Sequence, residues 1–77
     1  MTVHVKYFGS LRERMGRAED SLTLDFDATV ADIWGRVSNG QPLPANLLAA
    51  VNLEYAQPGQ AVADGDEVAF FPPVTGG

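Results

Sequence analysis

Thr29-Val30-Ala31-Asp32-Ile33-Trp34-Gly35-Arg36-Val37 carries the clearest helical pattern in the chain. Thr29 and Asp32 stand where a capping box needs them, with Asp in place of Glu, so each can satisfy a backbone N–H left free at the helix start. Val30, Ile33, Trp34 and Val37 then fall at i, i+3, i+4 and i+7, which makes one apolar stripe. Gly35 costs about 1 kcal/mol relative to alanine inside a helix, so packing of that stripe must hold the helix together. Asn39-Gly40 is a good stop. The flanking sequence reads mainly as strands, which predicts an α+β fold with one main helix laid on one face of a sheet.

Working outward, residues 2–8 alternate, with Val3, Val5 and Tyr7 on one face and His4, Lys6 and Phe8 on the other. Ser10-Leu11-Arg12-Glu13 reads as a second capping box, with Ser10 as N-cap, and Gly16 as a left-handed stop after Met15. Residues 21–26 alternate again, with Leu22, Leu24 and Phe26 on one face, and are expected to pair with the first strand. After the main helix, residues 41–46 hold Pro42 and Pro44 and read as a loop. Residues 47–53 read as strand-like with Asn52 as a turn or bulge residue, and residues 57–60 as a turn. Asp64-Gly65 is a hairpin signal. Residues 67–71 form the last strand, ended by Pro72-Pro73, which have no N–H to donate.

The chain has 77 residues, enough for one small domain, and its 45% hydrophobic content supplies a single core. It contains no cysteine, which excludes disulfides, thiolate metal sites and a cysteine nucleophile and fits a reducing cytoplasm. Neither a signal peptide nor an apolar run near the ~20 residues of a membrane span is read. The net charge of −5 argues against nucleic acid and for a partner with a basic docking surface. No internal repeat or linker is read.

The chemistry points to the end of the chain. Gly76-Gly77 follows directly on Phe70-Phe71-Pro72-Pro73-Val74-Thr75. Two residues without Cβ make the thinnest possible tail, one that another backbone can approach closely. The reactive group read here is the α-carboxylate of Gly77. A carboxylate is a poor electrophile and must first be activated, for example as an acyl-adenylate. No phosphate-binding loop is present, so a separate enzyme must use the ATP. Residues 74–77 are expected to be a flexible tail reaching about 13 Å.

A second feature is an apolar patch. Val68 and Phe70 share one parity of the last strand; Glu67, Ala69 and Phe71 share the other, which the charge marks as outward. Phe8 is outward by the same reasoning. If the first and last strands are neighbours, Phe8 and Phe71 form one binding surface. Other candidates read as ordinary. Asp64-Gly65-Asp66-Glu67 lacks the rest of a calcium loop and reads as a solvated turn. His4 reads as a surface residue, Trp34 as core, and Arg12 and Arg14 as solvated. No metal site, catalytic triad or carboxylate pair is read.

The stretches Leu47-Leu48-Ala49-Ala50-Val51-Asn52 and Asp64-Gly65-Asp66-Glu67-Val68-Ala69-Phe70-Phe71-Pro72-Pro73-Val74-Thr75-Gly76-Gly77 resemble the MoaD family, the small subunit of molybdopterin synthase. The opening Val5-Lys6-Tyr7-Phe8-Gly9-Ser10-Leu11-Arg12-Glu13 resembles the family's first strand and turn. The related ThiS carriers share the Gly-Gly end but generally not the double Phe–double Pro.

The resemblance implies a ubiquitin-like β-grasp fold, a mixed sheet of four to five strands with one main helix on one face. It implies a sulfur carrier that is not an enzyme on its own and binds no cofactor. An E1-like, MoeB-like adenylyltransferase would use ATP to adenylate Gly77, and sulfur would replace AMP to give a C-terminal thiocarboxylate (thioglycine). The tail, Val74, Thr75 and Gly76 included, would enter a MoaE-like large subunit within a heterotetramer and deliver sulfur to cyclic pyranopterin monophosphate. The partner interface it implies takes in Phe8, Arg12, Phe71, Pro72 and Pro73, with Tyr55 at a position that is often an apolar contact; alternation leaves the direction of Tyr55 open. Asn46 departs from the family, where a basic residue is common. A carrier for another pathway, a lysine-conjugated modifier and a plain interaction domain are the competing readings.

Overall fold

In the computed structural model, which describes residues 1–73, the chain opens with β1 (Thr2–Tyr7). Val3, Val5 and Tyr7 are buried and His4 is exposed, as the alternation predicts. Gly9 then turns the chain at φ 61° and ψ −143°, a conformation only glycine enters cheaply. The short helix α1 (Ser10–Met15) follows, and here the sequence reading is corrected. Gly9 rather than Ser10 is the N-cap, and no side chain caps this helix. The Phe8 N–H still donates to the Phe70 carbonyl at 3.1 Å, so the reversal falls on Gly9 and Ser10 is already helical. Leu11 is buried, and Gly16 ends the helix at φ 74° as expected.

The next strand, β2 (Glu19–Thr23), pairs antiparallel with β1, setting Val3 opposite Leu22 and Val5 opposite Asp20. It begins and ends earlier than residues 21–26. The Tyr7 N–H donates to the Ala18 carbonyl, and the Leu24 N–H to the Met1 carbonyl. Beyond it the chain bends away from β1. Leu24 is buried but Phe26, expected on the same face, is 45% exposed.

The two-residue β3 (Ala28–Thr29) leads into α2 (Val30–Val37). Its capping box is fully formed: the Asp32 N–H donates to Thr29 Oγ1 at 3.2 Å, and the Thr29 N–H donates to Asp32 Oδ2 at 2.9 Å. Val30, Ile33, Trp34 and Val37 are all buried. The Trp34 indole N–H donates to the Pro42 carbonyl, which pins the following loop to the helix.

Then come β4 (Leu48–Val51), β5 (Glu54–Ala56), β6 (Ala61–Val62) and β7 (Glu67–Phe71). The main sheet has the order β2-β1-β7-β4-β5, with β3 and β6 forming a separate pair. Only the β1–β7 pairing in the main sheet is parallel, so the sheet is mixed. The first and last strands are neighbours, as the patch argument required. The Asp64-Gly65 turn exists, but it is not a hairpin: β6 pairs with β3, and β7 with β1 and β4. Gly65 donates to the Thr2 carbonyl and Asp64 accepts from the Thr2 N–H. The turn is thus tied to β1 instead of joining its own flanks.

The core lies between the sheet and α2. Phe70 is fully buried and meets the edge of Trp34, with ring centroids 5.1 Å apart. At its margin the Tyr7 hydroxyl donates to Asp20 Oδ2 at 2.7 Å, and Arg17 binds the same carboxylate oxygen. Arg17 also donates to the Met15 and Val37 carbonyls, joining the α1–β2 connection to the end of α2. Burial alone would raise the Asp20 carboxyl, but the hydrogen bonds from Tyr7 and Arg17 outweigh it and hold the carboxyl below its ordinary range. A lowered acid contributes stability above its unfolded value, near 3.9, that is lost as pH falls through the folded one. Urea midpoints from pH 7 to 2 should therefore drop below about pH 4 in the wild type and drop less in Asp20→Asn.

Candidate docking face and C-terminal exit

The face of the sheet opposite α2 is built by pairing register. Lys6 lies opposite Ala69, Ala69 opposite Ala50, and Ala50 opposite Tyr55. Phe71 lies opposite Leu48. Two alanines at the centre leave a depression, because a methyl group is all that rises from the sheet there. Phe8, Phe71, Tyr55 and Leu53 stand around it, enclosing a shallow concavity of about 280 Å³.

Each sequence-derived residue can now be placed. Phe8 is exposed and rims the concavity. Phe71 points outward as its parity predicted, but it is only partly exposed. The Tyr55 ring leans on it, with centroids 5.9 Å apart. That contact settles the direction of Tyr55, which is 79% exposed on this same face. Pro72 packs against Gly9, where an added Cβ would come within 3.3 Å of the proline Cγ. Gly9 therefore serves both the turn into α1 and the path of the chain leaving β7. Pro72 and Pro73 are partly buried, and Arg12 is exposed on α1; none of the three lines the concavity. Val74, Thr75, Gly76 and Gly77 lie outside the described residues.

Leu53 is the residue that the sequence reading missed. It is 89% exposed and takes φ 72° in the turn between β4 and β5. Its signal was obscured because residues 47–53 read as one strand-like run. The concavity carries little charge of its own. Beside it in the sheet, Lys6 Nζ pairs with Glu67 Oε1 at 3.0 Å, so this cation and anion neutralise each other. The hydrogen bond to Glu67, with its charge, raises the Lys6 ammonium above its ordinary value and keeps it protonated.

Elsewhere the candidates stay ordinary. Asp66 caps its own turn, accepting from the Ala63 N–H and from the Asn52 side chain. Among the described residues, no three His, Cys, Asp or Glu side chains are grouped to hold a metal ion, and no helix is long and apolar enough to cross a membrane.

A model of the ThiS family matches residues 5–77. The chain belongs to the ThiS family. Among curated relatives of this ThiS-family chain, the molybdopterin synthase sulfur carrier subunit of Escherichia coli is 36% identical, over 97% of this chain and 99% of that one. The small archaeal modifier protein 1 of Haloferax volcanii is 34% identical over 94% and 97%. Its crystal structure superimposes with a TM-score of 0.79 at 32% identity, covering both chains in full. A complex of subunits 1 and 2 of molybdopterin-converting factor from Helicobacter pylori shares the fold, with a TM-score of 0.67 at 20% identity and full coverage of both chains. The expected β-grasp is thus the fold, and the chain is a ThiS/MoaD-like sulfur carrier.

Proposed function

We propose that this ThiS-family chain is the sulfur-carrier subunit of molybdopterin synthase. The observation that carries this reading is the junction at Phe71. One residue is both a wall of the apolar concavity and the last of the strand that leads through Pro72-Pro73 into Val74-Thr75-Gly76-Gly77. A protein that grips the concavity is thereby placed to receive the terminus. The E. coli relative's description as a carrier subunit of molybdopterin synthase supports the choice of pathway.

On this reading Gly77 is the reacting residue, and Gly76 is its slim neighbour in an acceptor channel. A MoeB-like adenylyltransferase joins the Gly77 carboxylate to AMP, spending ATP, in the cytoplasm. Sulfur then displaces AMP to leave a thiocarboxylate. The tail enters a MoaE-like large subunit, whose side chains supply the catalysis, and sulfur passes to cyclic pyranopterin monophosphate. Two carriers and two large subunits form the working heterotetramer. Phe8, Phe71 and Tyr55 grip the large subunit; Pro72 and Pro73 set the direction of the tail, and Arg12, exposed on α1, adds a polar contact to the same partner.

Incubation with the activating enzyme, ATP and a sulfur source is expected to raise the intact mass by about 16 Da, as one oxygen is exchanged for sulfur. An unchanged mass with an active enzyme present would overturn the carrier chemistry. The relative described as a modifier favours a second reading, conjugation of Gly77 to lysines of other proteins. Accumulation of higher-mass covalent adducts of the chain in cells, without free thiocarboxylate, would select that reading instead.

A further inference from the structure

We infer that Leu53 is a partner-binding residue that sets the affinity of the carrier for the protein receiving its tail; this rests on the docking face assigned above. The turn between β4 and β5 has two central residues, Asn52 at φ 50° and Leu53 at φ 72°. Two-residue hairpin turns with positive φ at both positions favour Asn-Gly, because a Cβ is strained in the left-handed region. Asn52 suits its place. Leu53 does not, and its side chain is 89% exposed, so it adds almost nothing to the core in return.

The strained conformation is held from outside the turn. The Asn52 N–H donates to the Glu67 carbonyl at 2.8 Å, its side-chain oxygen accepts from the Glu67 N–H at 3.0 Å, and its amide donates to Asp66 Oδ1 at 2.9 Å. Three bonds to the start of β7 over-determine the turn. Leu53 is thereby presented at a fixed place, on the rim of the concavity and at the end of β4 away from Leu48 and Phe71. Strain maintained by surrounding contacts around an exposed apolar side chain points to a use for that side chain outside the fold.

The length of the tail identifies what meets it. Four residues follow Pro73, and fully extended they span at most about 14 Å. An acceptor whose reaction centre reaches Gly77 must bring its body close to Pro73, two residues from the Phe71 wall. Such a body covers the concavity, and complementarity requires an apolar, uncharged projection from it, since Ala50 and Ala69 form the floor and Lys6 is already paired with Glu67. Leu53 extends this contact away from the chemistry, so it acts on affinity and leaves the rate of the bound complex alone.

The test uses full-length carrier and the MoaE-like large subunit of the same organism, with Leu53→Gly, Leu53→Asn and Phe71→Ala compared by calorimetry and thermal melting. Both Leu53 variants suit the left-handed turn. Each is expected to raise the melting midpoint and to weaken binding about tenfold. Unchanged affinity in both Leu53 variants, with binding lost in Phe71→Ala, would overturn the inference and leave the docking face standing. Unchanged affinity in all three would overturn the docking face itself. A lowered midpoint in Leu53→Gly would show that the turn is unstrained and remove the premise.

Discussion

Gly77→Ala is expected to fold, melt and bind its large subunit like the wild type while sulfur transfer falls by about 100-fold or more. Residue 77 follows the end of β7 by six residues in the sequence, and on the proposed reading its part is in the chemistry and not in the core. The activating enzyme and the acceptor must each bring a reacting atom against the terminal carbonyl, and a displacement of about 1 Å at a reacting centre costs on the order of 100-fold. A methyl group on the adjacent carbon is large enough to cause that displacement, and it also restricts the backbone angles through which the terminus enters a narrow channel. Single-turnover transfer from chemically loaded carrier separates the acceptor's step from loading, and intact mass after treatment with activating enzyme reads loading alone. Wild-type rates in both would remove Gly77 from the chemistry and leave the carrier reading without its central residue.

What could be read in advance depended on whether the deciding contacts were local. The capping box of α2 is four residues long, and its stripe repeats within eight, so both were legible in Thr29 to Val37 and both are present. Parity along β1 and β7 also needed no knowledge of neighbours, and it put Phe70 inside and Phe8 outside. The errors share a different cause. Ser10 is outside the cap because the β1 ladder to β7 runs on through Phe8, and a partner 62 residues away cannot be seen from the helix start. Phe26 leaves its expected face because the β1–β2 register ends at Thr2 opposite Thr23 and the chain bends at Asp25-Phe26. Asp64-Gly65 has the composition of a hairpin, but tertiary pairing sends its two flanks to different sheets.

The candidate site divides in the same way. Phe8 and Phe71 came from alternation alone. Tyr55 could be oriented only through its contact with Phe71 and its register with Ala50, and that register depends on the β4–β5 turn being a two-residue one. That turn has leucine where glycine is the signal, so the hairpin was hidden by the same residue that gives the concavity its fourth wall. The residue most informative about docking is thus the one whose local sequence argued against the structure it occupies.

The adjacent phenylalanines give the sharpest contrast between fold and function. Phe70 is fully buried against Trp34 and pairs across the sheet with Tyr7 and Ala49. Phe70→Ala removes a buried ring and leaves a cavity, which costs about 3–5 kcal/mol. At 0.05–0.15 kcal/mol per residue a domain of this size is stable by roughly 4–12 kcal/mol, so the variant is expected to lose most of its cooperative melting transition or to melt far below the wild type. Phe71 faces the other way and already shares its surface with Tyr55 and solvent, so Phe71→Ala should shift the midpoint only slightly. Its cost appears in association: truncating an aromatic anchor typically removes about 2 kcal/mol or more of binding, roughly a 30-fold loss of affinity for the large subunit. Circular-dichroism melts and titration calorimetry on both variants read the two effects separately. If Phe70→Ala instead melts normally and Phe71→Ala unfolds, the parity of β7 is reversed and the concavity cannot be assembled from these residues. If both melt as expected and Phe71→Ala binds like the wild type, the last strand serves the fold alone, and the acceptor must hold the carrier by another surface.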